Sequence, residues 1–176
     1  MKKLLIVSST KNSNFDLSKT IKLHLENKDE IHPHVIALED FELPLYTPTL
    51  EEKFKNNDSF PENIERVKDL ICSSQAMIWC SPEYNGGISP IVTNTIAWIS
   101  RATIDWKEGF NNKHCLICTS SGGNGKNFVE GFKIQLGYLG SQVFKKSLIQ
   151  TKAKSIDENE LVSVLSEFCE NILNDK

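Results

Sequence analysis

Short apolar runs alternate along this chain with longer stretches in which apolar residues recur every three or four positions. The runs at 3–7, 34–37, 76–80, 114–119 and 142–148 predict strands, and the first, third and fourth are apolar enough to be buried on both faces. Helical periodicity fills 16–25, 61–72, 90–100, 126–139 and 158–173. Ile64, Val67, Leu70 and Ile71 make one buried stripe, and Leu161, Val164, Leu165 and Phe168 make another. The stretch 43–58, with Pro44, Pro48, Asn56 and Asn57, reads as the longest loop and as the rim of a site.

Five strands alternating with five helices predict an α/β fold, a doubly wound five-stranded parallel sheet with helices on both faces. Right-handed crossovers favour the flavodoxin-like order 2-1-3-4-5, which puts a ligand crevice at the switch point between the first and third strands. The 176 residues suit a single domain, 1–176. No internal repeat interrupts it.

Composition narrows the function. With 39% hydrophobic and 24% charged residues and a net charge of -3, the chain matches an ordinary globular protein. Its one basic cluster, Lys145-Lys146, is too small to track nucleic acid. Met1-Lys2-Lys3 precedes an apolar run of only four residues, Leu4 to Val7, which predicts an opening strand rather than a signal core or a membrane span. Five cysteines without framework spacing predict free thiols and a cytoplasmic location.

Three loops carry the candidate chemistry. The first, Ser8-Ser9-Thr10-Lys11-Asn12-Ser13-Asn14-Phe15-Asp16, joins the first strand to a helix. Its hydroxyls, amides and Lys11, with the helix N-terminus, can cradle a phosphate; equally, such residues cap helices and shape turns. It contains neither a P-loop nor a G-x-G-x-x-G fingerprint, which disfavours a nucleotide triphosphatase or dehydrogenase site. The second loop follows the third strand as Ser81-Pro82-Glu83-Tyr84-Asn85-Gly86-Gly87-Ile88-Ser89-Pro90. Asn85-Gly86-Gly87 either lets main chain approach a planar heterocycle or simply makes a tight turn. The third loop, Ser120-Ser121-Gly122-Gly123-Asn124-Gly125, brings a second glycine cluster to the same sheet edge.

The second loop, with Asn94, Ile96, Trp98 and Arg101 after it, resembles the signature of the NADPH-dependent FMN reductase family. Ser8, Ser9, Thr10, Lys11 and Asn14 resemble that family's phosphate loop, Ser120 to Gly125 its glycine-rich third loop, and Leu43-Pro44-Leu45-Tyr46 a stretch it commonly carries. The resemblance implies FMN as cofactor, with its phosphate on Ser9, Lys11, Ser13, Asn14 and Phe15. It implies the isoalloxazine against Pro82, Glu83, Tyr84, Asn85 and Gly86 and against Ser120, Gly122 and Gly123. Hydride from NADPH or NADH would pass through the flavin to a flavin, quinone, azo or similar small acceptor, with no catalytic side chain from the protein. It also implies a homodimer or homotetramer formed through the helix after the second loop. Departures are Ser8 for Gly, Lys11 for Arg, Asn14 for Ser and Lys126 for Gly. Lysine lacks the bidentate fork of arginine, which implies a weaker hold on phosphate. A flavodoxin-type FMN carrier, without its own NAD(P)H oxidation, is the alternative. It is disfavoured by the missing T-x-T-G-type first loop and the mild net charge.

Other tempting residues are set aside. Cys115 and Cys118 match C-x-x-C, but three residues apart on a strand they point to opposite faces. His32 and His34 can share a face without any further ligands at metal spacing, so no metal site is expected. Trp98, Ile99 and Trp106 are expected to pack or to make subunit contacts.

Overall fold

The structure is a computed structural model and describes residues 1–57 and 59–175. Strands β1 (Lys2–Ser8), β2 (Ile31–Ala37), β3 (Ala76–Cys80), β4 (His114–Ser121) and β5 (Gln142–Thr151) form one parallel sheet in the order β2-β1-β3-β4-β5. The helices are α1 (Ser13–Leu25), α2 (Pro48–Asn56), α3 (Glu62–Ser73), α4 (Pro90–Ala102), α5 (Lys126–Tyr138) and α6 (Glu158–Asn174).

Because strand side chains alternate between faces, β1, β3 and β4 each feed two cores. Leu5, Val7, Met77, Trp79 and Ile117 meet α3, α4 and α5 through Val67, Ile71, Ile96, Phe128 and Phe132. On the other face Leu4, Ile6, Ile78 and Leu116 meet α1 and α6 through Leu17, Ile21, Leu165 and Phe168. A fully buried phenylalanine such as Phe132 or Phe168 contributes about 1.5–3 kcal/mol of burial free energy. Cys115 lies in the first core and Cys118 in the second, as the strand period requires. Among the described residues no helix is long and apolar enough to cross a membrane.

Edge strands explain where the sequence boundaries moved. Strand β2 starts at Ile31, three residues earlier than expected, since Pro33 is tolerated where only β1 pairs with it. At the other edge the register of β4 with β5 shifts between Cys115 and Ile117, and the Lys145-Lys146 pair sits in that irregularity. Bulges and lysines there blunt edge-to-edge association.

The stretch 43–58 corrects the expectation of a loop, because its second half is helix α2; Asp58 lies outside the described residues. Thr47 caps the helix by accepting from the Leu50 N–H at 3.2 Å, Pro48 occupies the first turn, and Glu51 pairs with Lys55 one turn on. Pro48, Asn56 and Asn57, which read as loop punctuation, are thus helix-start and helix-end residues, while Pro44 stays in the connecting chain. The segment closes over α4. The Trp98 indole N–H and the Asn94 amide both donate to the Pro44 carbonyl (2.7 and 3.0 Å), and Tyr46 and Phe54 pack on the Trp98 ring at 5.2 and 5.6 Å between centroids.

Candidate cofactor site at the carboxyl edge of the sheet

The first loop leaves β1 with its path already fixed. The Ser9 N–H donates to the Cys80 carbonyl at 2.9 Å, continuing the β1–β3 ladder one residue past the strand. The Ser8 hydroxyl donates to the Thr10 carbonyl, and the Thr10 hydroxyl to Asn12 Oδ1, both at 2.7 Å. Asn12, not a residue near Asp16, caps α1 by accepting from the Asn14 N–H, so the helix begins at Ser13. Among the described residues the N–H groups of Thr10, Asn12 and Ser13 meet no acceptor, and the buried Ser9 hydroxyl has no partner. Unspent donors at the start of a thirteen-residue helix suit an anion.

Lys11 already has partners of its own. Its ammonium pairs with Asp40 and its main-chain N–H donates to the Glu39 carboxylate. These acids stand on the 3₁₀ turn Leu38–Phe41 that follows β2, and Asp40 holds the Lys11 ammonium above its ordinary pKa. The sequence reading missed both. The available signal was their position directly after the strand that neighbours β1.

The second loop makes a hairpin-like turn. Tyr84 and Gly87 exchange main-chain hydrogen bonds (3.2 and 2.9 Å) around Asn85 at φ 51° and Gly86 at φ 71°. Two consecutive positive φ values define a type I′ turn, the geometry Asn-Gly adopts most readily. Tyr84 is exposed at its base.

The third loop is tied to both others. Asn14 is buried, and its side-chain amide donates to the Ser120 carbonyl at 2.9 Å while accepting from the Ser120 N–H at 2.8 Å. The Glu83 carboxylate accepts from the Asn127 and Phe128 N–H groups (2.9 and 3.1 Å), capping α5 across the gap between loops, and the Glu83 N–H donates to the Ser121 hydroxyl. Gly125, at the start of α5, cannot supply a cap itself. Its φ of 69° and a position where a Cβ would come 2.7 Å from the Thr119 methyl require glycine.

The expected residues therefore gather at one edge with divided tasks. Ser9 and Ser13 bring unspent donors, Tyr84, Asn85, Gly86, Gly122 and Gly123 are exposed or part-exposed main chain and ring, and Pro82 is buried beneath them. Asn14, Ser120 and Glu83 are committed to holding the loops together. The Phe15 ring carries the Lys19 ammonium at 5.0 Å. Ser120 and Ser121 belong to the end of β4 rather than to the loop. A cleft of about 230 Å³ borders Ser13 between α1 and α6. A roomier cleft, about 610 Å³, lies beside His114, Gln142 and Asp175 at the amino ends of β4 and β5, the end of the sheet opposite the switch point. The donor set at the carboxyl edge fits a phosphate-bearing planar cofactor: unspent N–H groups, a buried hydroxyl without a partner, and glycine-opened main chain.

A parallel 2-1-3-4-5 sheet with three such loops at its carboxyl edge defines a flavodoxin-like α/β protein. The chain belongs to the NADPH-dependent FMN reductase family, whose model matches residues 1–154, and it is by that membership an NAD(P)H-dependent oxidoreductase. It is 26% identical over 131 residues to an uncharacterized protein of Mycoplasma pneumoniae, covering 72% of this chain and 73% of that one. It is 26% identical over 126 residues to an NADPH:quinone oxidoreductase of Arabidopsis thaliana, covering 68% of this chain and 60% of the plant protein. Among solved structures, the flavoenzyme NAD(P)H:(acceptor) oxidoreductase FerB from Paracoccus denitrificans has the same fold at a TM-score of 0.79 and 21% identity, with 98% of each chain covered.

Proposed function

We propose that this protein binds FMN at the carboxyl edge of its sheet and passes reducing equivalents from NADPH or NADH to a small acceptor, a flavin, quinone or azo compound. The observation that carries this reading is the set of unspent donors at the start of α1, the N–H groups of Thr10, Asn12 and Ser13 with the Ser9 hydroxyl, facing the same edge as the Asn85-Gly86 turn. Those donors would hold the phosphate. The main chain of the turn and of Gly122-Gly123 would flank the ring, and Tyr84 would border its open face. FMN, when bound, supplies the hydride chemistry. The chain's part is to bind and orient, since the one carboxylate of the second loop, Glu83, is spent on capping α5. Free cysteines support a reducing, cytoplasmic setting. Exposed Ile104, Trp106, Ile134 and Tyr138 support a homodimer or homotetramer.

The test is the visible spectrum of the purified protein with FMN, followed by anaerobic NADPH and then NADH. Bound flavin that bleaches on adding either nucleotide supports the reductase. Bound flavin that neither nucleotide bleaches favours the flavodoxin-type carrier, and no binding overturns the site.

A further inference from the structure

Two carboxylates stand inside the loop that would take the phosphate. Glu39 accepts from the Lys11 N–H and Asp40 pairs with the Lys11 ammonium, so its main-chain donor is engaged and its charge already has a carboxylate counterion. The pairing is local and orderly. Glu39 and Asp40 are neighbours on a single turn following β2, and Lys11 is three residues past the end of β1, the strand beside it. Both partners of the ion pair are about half exposed, 53% and 52%, so a competing anion can reach it from solvent. A phosphate monoester arriving at the start of α1 must either take Lys11 from these acids or bind beside them. In the first case it breaks an ion pair, and in the second it meets two like charges.

We infer that Glu39 and Asp40 set the hold of this site on the phosphate: they compete with it for Lys11, and the flavin exchanges as a dissociable ligand. This deepens the functional reading above and rests on it. The remaining donors, main-chain N–H groups and the Ser9 hydroxyl, carry the residual attraction. An arginine could present a bidentate face to the phosphate while its remaining N–H groups served a carboxylate, whereas the lysine ammonium is a point charge that Asp40 already offsets.

The experiment titrates FMN and riboflavin separately by quenching of flavin fluorescence. It uses the wild type, the double variant Glu39→Gln/Asp40→Asn, and Lys11→Met in each background, with thermal unfolding to verify that all four are folded. The double variant is expected to bind FMN roughly three- to tenfold more tightly, with riboflavin unchanged. Lys11→Met should cancel that gain in the double variant and, by leaving Glu39 and Asp40 without their counterion, weaken FMN binding in the wild-type background. Unchanged FMN-to-riboflavin selectivity in the double variant, or a gain that survives Lys11→Met, overturns the inference while leaving the flavin site standing. If no flavin binds any of the four proteins, the functional reading falls and the inference with it.

Discussion

The side-chain amide of Asn14 and the main chain of Ser120 exchange a reciprocal pair of hydrogen bonds, 2.9 and 2.8 Å, across 106 positions of sequence. This closes the first loop onto the end of β4 and fixes the separation of two of the three loops that make the site. Both groups are buried, so deleting one partner leaves the Ser120 N–H and carbonyl without solvent. Asn14→Ala is expected to lower stability by about 2 kcal/mol, measured by urea denaturation. Asn14→Asp should be no better, because a carboxylate cannot donate to the Ser120 carbonyl. A variant as stable as the wild type would show that the pair contributes nothing.

The sheet was legible because its pattern is redundant: runs such as 76–80 and 114–119 have no other use than a doubly buried strand. The three loops were legible for the same reason, since glycines and small polar residues follow each central strand. The division of labour within them was not. Asn14 and Glu83 look like ligand contacts in sequence, but whether an amide or carboxylate faces a ligand or another loop depends on a crossing that only the folded chain makes. Glu39 and Asp40 were invisible for the same reason, their partner Lys11 being 28 and 29 residues away. Helix α2 was missed because Thr47-Pro48 serves equally as a turn and as a cap followed by a first-turn proline.

The cap that Glu83 places on α5 spans two loops, so it couples the turn at Asn85-Gly86 to the helix after the third loop. Glu83→Ala is expected to cost about 0.5–2 kcal/mol, the usual range for losing an N-terminal cap. Glu83→Gln should retain part of this, because an amide oxygen still accepts but without the charge that favours the helix N-terminus. Equal losses in the two variants, in chemical denaturation, would mean that the carboxylate does not cap.

The turn itself tests whether backbone conformation matters to the site. Gly86 sits at φ 71°, and the space around it is open, with an added Cβ meeting only the Asn127 amide at 3.5 Å. Gly86→Ala therefore carries conformational strain without a clash, about 1–2 kcal/mol. Gly86→Val should cost more, because a β-branched residue resists positive φ. The same order, Val worse than Ala worse than wild type, is expected in FMN affinity. An affinity indifferent to both changes would remove the turn from the binding site.

Thiol chemistry should single out Cys72. Cys80, Cys115, Cys118 and Cys169 are buried, and burial pushes the Cys115 thiol up to about 12; Cys118, facing Cys80 across the β3–β4 pair, is held well above the usual range. Cys72 is part-exposed, though desolvation raises its thiol as well. A thiol reagent at neutral pH should modify Cys72 alone and slowly, with the other four reacting only after denaturation. Rapid modification of more than one cysteine in the folded protein would contradict the buried placement of the other four.

Lys113 gives the fold a dependence on alkaline pH. Its ammonium is buried and donates to the carbonyls of Ile71 and Cys72 at 2.6 and 2.9 Å, closing the C-terminus of α3. Desolvation holds its pKa below the ordinary lysine value of 10.5. The unfolded chain consequently binds more protons at this residue than the folded one between the depressed value and 10.5, and stability from Lys113 rises with pH across that window. The gain is complete above the unfolded value and is lost as pH falls through the folded one. At pH 7 Lys113→Met should still cost about 1–2 kcal/mol, because two helix-end carbonyls lose their donor. The stability difference between wild type and Lys113→Met should then widen in favour of the wild type as the pH is raised toward 10.5. A difference that stays flat from neutral to alkaline pH would mean that the lysine ionises as freely in the fold as in the unfolded chain.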